Sequence, residues 1–146
     1  MLELYIMVGV VVSFFYYEII GILPGGIIVP GYLALYIVDQ PFRVLATIIS
    51  AFFSFILVKY VISRYMIIYG SRRFFLMILV NYVVGTFILS ASGLILPIEI
   101  KLTPVGFLIG GIIANNYSRQ GIIVTLINML GAVMIIHLIA ITFNFI

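Results

Sequence analysis

The sequence predicts an all-α integral membrane protein, and three observations carry the prediction. Two-thirds of the residues are hydrophobic (66%) and only 8% are charged, against about 25% charged in a soluble domain. With a mean hydropathy of +1.42, no water-soluble fold could cover so much apolar surface. The apolar residues also gather into runs between the charges, at 4–17, 19–38, 44–58, 74–98, 102–118 and 120–146. A helix needs about 20 residues to cross the ~30 Å hydrocarbon layer, so about four to six crossings fit. Little of the 146-residue chain is left for a soluble domain.

The first run follows Met1-Leu2-Glu3-Leu4, with no basic segment before it and no small-x-small cleavage site after it. It is expected to be a retained helix and not a removed signal. The first, third, fourth and sixth runs are rich in Ile, Leu, Val and Phe, with no internal proline except Pro97 near one end. Those four are expected to be ordinary spanning helices. The third is short, but Arg43 and Lys59 can carry their charges to the interface on long apolar stems. Phe42 and residues 60–62 then lengthen its apolar span.

The second and fifth runs differ. The second contains Gly21, Pro24-Gly25-Gly26 and Pro30-Gly31, and the fifth contains Thr103-Pro104, Gly106 and Gly110-Gly111. Proline removes a backbone donor and clashes with the preceding turn, and glycine adds conformational freedom. Neither run is expected to be one continuous helix. Broken backbone at membrane depth is tolerated only where protein buries it or it lines a water-filled cavity, so these two segments, broken or re-entrant, are the leading functional candidates.

Sliding the chain by 80 residues (106 minus 26) places Gly26 on Gly106, Gly31 on Gly111, Ala34 on Ala114 and Gln40 on Gln120. The expectation is a single membrane domain over 1–146 built from two repeats of helix, broken segment and helix. Repeat one covers 1–61, a basic linker 62–73, and repeat two 74–146. Paired Gly/Pro-interrupted segments in two halves are the pattern found where a transport pathway lies between repeats. Lys59, Arg64, Arg72 and Arg73, four of the seven basic residues, cluster between the halves, which puts the linker in the cytoplasm. Full crossings by the broken segments would put the N-terminus outside and Arg119 inside; re-entrant segments would put both termini inside.

Chemistry-bearing residues are scarce. There is no cysteine and one histidine, His137, with no carboxylate near it in its run, so no catalytic residue, metal site or cofactor is expected. No P-loop, Gly-x-Ser-x-Gly or His-Glu-x-x-His motif is present. A pI near 9.3 does not point to nucleic acid, because the few cations flank apolar runs. Asn81 and Asn128 read as interhelical glue worth about 0.6 kcal/mol each. Glu18 and the pair Glu99 and Lys101 read as interface markers. The candidates for a path are Pro24, Gly25, Gly26, Pro30, Gly31, Gly106, Gly110, Gly111, Asn115, Arg119 and Gln120. Lys59, Arg64, Arg72 and Arg73 are candidates for docking a partner or contacting a polyanion, besides topology and lipid headgroup contact.

Several strings resemble the small membrane subunit of bacterial poly-γ-glutamate synthase, the PgsC/CapC family. They are Gly21-Ile22-Leu23-Pro24-Gly25-Gly26-Ile27-Ile28-Val29-Pro30-Gly31-Tyr32, then Val58-Lys59-Tyr60, Met66-Ile67-Ile68-Tyr69-Gly70 and Arg72-Arg73-Phe74. Gly110-Gly111-Ile112-Ile113-Ala114-Asn115 and Gln120-Gly121 extend the likeness over nearly the whole chain. Gly110 departs from it, where the resemblance implies a second Pro-Gly.

The resemblance implies a multi-pass protein of the bacterial cytoplasmic membrane that helps to make and export the capsule polymer poly-γ-glutamate. It implies a non-catalytic role beside a separate ATP-dependent γ-glutamyl ligase subunit and an anchored extracytoplasmic subunit. Two other readings of the residues stay open, a small secondary transporter or channel and a structural anchor for a partner enzyme.

Overall fold

A computed structural model describes residues 2–95 and 106–143, and among these the chain is helical apart from short connections. The described helices are α1 (Leu2–Ile20), α2 (Val29–Asp39), α3 (Pro41–Tyr65), α4 (Ser71–Ile95), α5 (Phe107–Gln120) and α6 (Ile122–Thr142). Four of them, α1, α3, α4 and α6, are long and apolar enough to cross a membrane. The protein is a multi-pass membrane protein. Pro97, Glu99, Lys101, Thr103 and Pro104 lie outside the described residues.

Local chemistry sets most boundaries. Gly21 adopts φ +75 and its N–H donates to Tyr17 O at 2.7 Å, closing α1 with a left-handed glycine. Gly121, at φ +93, does the same for α5 through Tyr117 O at 3.1 Å. Gln40 separates α2 from α3 because it precedes Pro41, and its φ −142, ψ 65 backbone lies outside the helical region that a following proline disfavours.

Two expectations about the broken runs are corrected. Pro30-Gly31 does not interrupt a helix but opens one, since Pro30 sits in the first turn of α2, where its missing N–H costs nothing. Gly110-Gly111 lies inside the continuous helix α5, so the break in that run, within the described part, falls at Gly106 with φ +76. The third span is also longer than its apolar run. It continues through a π-helical stretch, Leu57–Ile62, to Tyr65, which carries Lys59 and Arg64 on helix and cuts the connection to α4 to residues 66–70.

The helices pack reciprocally. α2 lies against α1 and α6, α5 lies against α4 and α3, and the long helices pair as α1 with α6 and α3 with α4. Close approach needs small residues, because lipid gives helices no hydrophobic reason to associate. α1 and α2 cross at Gly9 and Gly31, where a Cβ on Gly31 would stand 2.6 Å from Tyr5 O and 3.0 Å from Gly9 Cα. α4 and α5 cross at Gly111, where a Cβ would meet Ile78 Cα at 2.6 Å. The inner face of α3 is Ala46, Thr47, Ser50, Ala51 and Ser54, all buried. Ser50 and Ser54 return their hydroxyls to the carbonyls of Thr47 and Ser50, at 2.9 and 2.7 Å, which keeps the Ser50 polarity within the helix, while Ser54 shares its proton with Asn81 of α4. Large apolar side chains fill the interior, Leu33, Met77, Ile113, Met129 and Ile136 among them, and many others point outward, such as Phe14 and Phe15 on α1, Phe87 on α4 and Met134 on α6. An apolar exterior suits a lipid solvent.

Candidate functional site

The site is built on the connection from Gly21 to Ile28, which is neither helix nor strand. The chain leaves α1 at Gly21 and by Gly31 lies beside Tyr5, Ile6 and Gly9. In doing so it retraces about 12 residues of α1, ~18 Å of helix axis. A tight turn about Pro24 donates Gly25 N–H to Leu23 O at 2.8 Å. Gly25 (φ +76) and Gly26 (φ +130) hold backbone conformations that residues with a side chain rarely adopt.

This unpaired backbone is buried against the other half of the molecule. Pro24, Gly25 and Gly26 are all buried. Asn116 of α5, 4% exposed, donates its amide to Gly25 O at 2.8 Å and to Ile112 O at 3.0 Å. The Gln120 amide, oriented to satisfy both bonds, donates to Leu23 O at 2.9 Å and accepts from Leu23 N–H at 3.1 Å. A Cβ at Gly25 would stand 3.0 Å from Met129 Sδ, and one at Gly26 2.8 Å from Ile112 Cγ2. The contacts progress from Leu23 with Gln120, through Gly25 with Asn116, to Gly26 with Ile112. The segment therefore runs antiparallel to α5, with Gly26 against Ile112 of α5 and Gly25 against Met129 of α6, and the positive φ of both favours glycine.

The start of α5 is held differently. Asn81 of α4, fully buried, donates to Phe107 O at 2.6 Å and accepts from the Ser54 hydroxyl at 3.0 Å. One side chain thus ties α3, α4 and the start of α5. Gly110 makes room for it, since a Cβ there would fall 2.5 Å from Asn81 Nδ2.

The candidate residues do not form one cluster. Gly25 and Gly26 meet Asn116, Ile112 and Met129, and Gln120 joins the same seam at Leu23. Gly106 does not reach Gly26, which meets α5 six residues further on at Ile112, ~9 Å along the axis. Gly31, Gly110 and Gly111 are helix-crossing points. Asn115 and Arg119 face away from the seam and, with Gly70, Ser71, Arg73, Phe74 and Phe75, line a cavity of about 490 Å³. Lys59 lies 5.1 Å over the Phe55 ring and 5.8 Å from that of Tyr60, while Arg64 and Arg72 are exposed. From sequence, Asn116 belongs to a hydrogen-bonding cluster at 115–120 but is not among the candidate site residues, Met129 is not singled out, and Asn81 has only a generic bonding role. The available signal was an asparagine within an apolar run, where an amide must find partners. Among the described residues no group of His, Cys, Asp or Glu could hold a metal.

Comparison with known proteins fits this arrangement to a family. The family described as "Capsule biosynthesis CapC" matches residues 8–126, which include α1 to α5 apart from the first residues of α1. The "PGA biosynthesis protein CapC" of Bacillus subtilis (strain 168) is 35% identical over 129 residues, covering 84% of this chain and 83% of that protein. The "Capsule biosynthesis protein CapC" of Bacillus anthracis is 35% identical over 127 residues, covering 85% and 84%. No solved structure matches the chain. The chain belongs to the CapC family of capsule biosynthesis proteins.

Proposed function

We propose that this protein is the membrane subunit of a poly-γ-glutamate synthase and export complex in the bacterial cytoplasmic membrane. A separate ATP-dependent ligase subunit makes the γ-glutamyl bonds, an anchored extracytoplasmic subunit assists, and this chain supports polymerisation and passage of the polyanion. The observation that carries the reading is the glycine-built segment 21–28, whose backbone is held by Asn116 and Gln120 of the opposite half. An unpaired peptide group in hydrocarbon costs several kcal/mol. A chain needing only an anchor has no use for such a seam, whereas a charged polymer, unable to cross bare lipid, needs backbone and amide groups along its way.

The topology proposed is two inverted repeats. Reciprocal packing of the helices supports it, since exchanging α1, α2 and α3 for α4, α5 and α6 reproduces the pattern of neighbours. Segment 21–28 with α2 then makes one broken crossing. The end of the bundle carrying Lys59, Arg64, Arg72, Arg73 and Arg119, five of the seven basic residues, faces the cytoplasm by the positive-inside rule. A cysteine replacing Ser71, at that end, is expected to resist an impermeant reagent in intact cells.

The test of function is Gly26→Val in the producing host. It forces a branched side chain onto φ +130 and into Ile112. Polymer yield is expected to collapse while the chain inserts and co-purifies with the ligase. Full yield would overturn the path. Reciprocal halves also fit a small secondary transporter; flux of small anions into liposomes containing this chain alone would favour that reading.

A further inference from the structure

Among the described residues, the cavity between the start of α4 and the end of α5 is lined by two arginines and no acidic side chain. Arg73 and Arg119 both line it, with Asn115 one turn before Arg119 on α5 and Ser71 at the start of α4. The α4 N-terminus adds its own partial positive charge, with no acidic residue in the first turn to offset it. Arginines in a helix's first turn are unfavourable for the same reason. Arg73 Nε is buried and has no hydrogen-bond partner, although a buried guanidinium donor left unpaired is costly. The remaining walls, Phe74 and Phe75 with Gly70, are apolar. A positively charged cavity with aromatic walls is matched by an anion whose oxyanion groups alternate with methylenes.

We propose that this cavity is a carboxylate-binding site that receives a γ-linked glutamate chain, with Arg73 and Arg119 on its carboxylates and Phe74 and Phe75 against its methylene spacers. The identity of the polymer rests on the function proposed above; the affinity for a carboxylate rests on the cavity. Guanidinium groups suit this ligand because they bind carboxylates bidentately, and the site lies on the face of α5 that does not hold segment 21–28. The same helix therefore presents a receiving site on one face and the path seam on the other. A phospholipid headgroup is the competing occupant, but a single phosphate does not call for two guanidinium groups with aromatic walls between helices.

The test uses the full-length protein in nanodiscs of zwitterionic lipid, with soluble γ-linked oligoglutamate as the probe at low salt. Thermal unfolding and direct binding are measured for wild type, Arg73→Gln, Arg119→Gln and Arg73→Lys. Wild type is expected to bind and to be stabilised by the probe, and each Gln variant to weaken binding about tenfold, as loss of one charged hydrogen-bonding partner does. Arg73→Lys is expected to fall between. Without the probe Arg73→Gln should be no less stable than wild type, because it removes a cation from a helix N-terminus; a role in packing alone would lower its unfolding temperature. Equal binding by all four proteins, or none by wild type, would overturn the site. So would a response in which anionic phosphatidylglycerol discs, and not the oligomer, tell the variants from wild type. Unaltered oligoglutamate binding in the variants, in a host whose polymer still depends on this chain, would remove the site and leave the function standing. Binding lost in the variants, in a host whose polymer does not depend on the chain, would do the reverse.

Discussion

The two short helices, α2 and α5, occupy corresponding places and are seated by different chemistry. α2 is crossed by α1 glycine on glycine, at Gly9 and Gly31, with backbone against backbone. α5 is crossed by α4 through Ile78 and the Asn81 amide, which bonds Phe107 O and Ser54. Both seats have one glycine that admits nothing larger than hydrogen, Gly31 against Tyr5 O and Gly111 against Ile78 Cα. The second adds a hydrogen-bonded polar side chain, Asn81, in the gap at Gly110. The difference shows how a membrane bundle gains close packing without a hydrophobic driving force: it removes side chains, or it spends an amide whose only partners are inside the protein.

The largest effect is expected where nothing can yield. Gly31→Leu drives a side chain into Tyr5 O and the α1 backbone, and overpacking of this kind costs about 3 kcal/mol or more. Folded protein recovered in mild detergent should drop severely; near-normal recovery would show that α1 and α2 can part.

Next is Asn116→Leu. It leaves Gly25 O without its amide donor and should cost about 1–3 kcal/mol, read as a lower unfolding temperature together with lower polymer yield. If yield falls and stability does not, the seam acts on the polymer more than on the fold.

Gly110→Ala should be milder than Gly31→Ala. Its Cβ meets the Asn81 side chain and not backbone, so the amide can turn aside at about 1–2 kcal/mol. The reverse order in a paired stability measurement would sink the distinction between the two seats.

The smallest effect belongs to Tyr16→Phe. The Tyr16 hydroxyl donates to Asn128 Oδ1 at 3.0 Å across the α1 and α6 interface, and interhelical bonds of this type average about 0.6 kcal/mol. A loss well above that would move this contact from general adhesion to a specific role.

Much of the fold was legible because the bilayer acts as a simple solvent. Runs of Ile, Leu, Val and Phe marked the four long helices, and Gly21, Pro24-Gly25-Gly26 and Gly106 marked departures from helix, since proline and glycine act on their own backbone. Pro30-Gly31 and Gly110-Gly111 misled for a definite reason. The same residue types can break a helix, begin one or let another helix approach, and the choice depends on what stands opposite.

The seam and the basic cavity were therefore decided by tertiary structure. Asn116 follows Asn115 directly, yet one amide bonds segment 21–28 and the other residue lines the cavity that Arg73 also lines, a division set by the rotation of α5 against its neighbours. Arg119 and Arg73 are 46 residues apart in sequence (119 minus 73), and only the packing of α5 on α4 brings them to one cavity. Composition and spacing determined that the chain would live in lipid, where its helices would run and where they would stop, because those are local balances of solvation and backbone sterics. Which polar groups meet is a property of helix faces turned toward each other, and that is fixed only when all the helices pack at once.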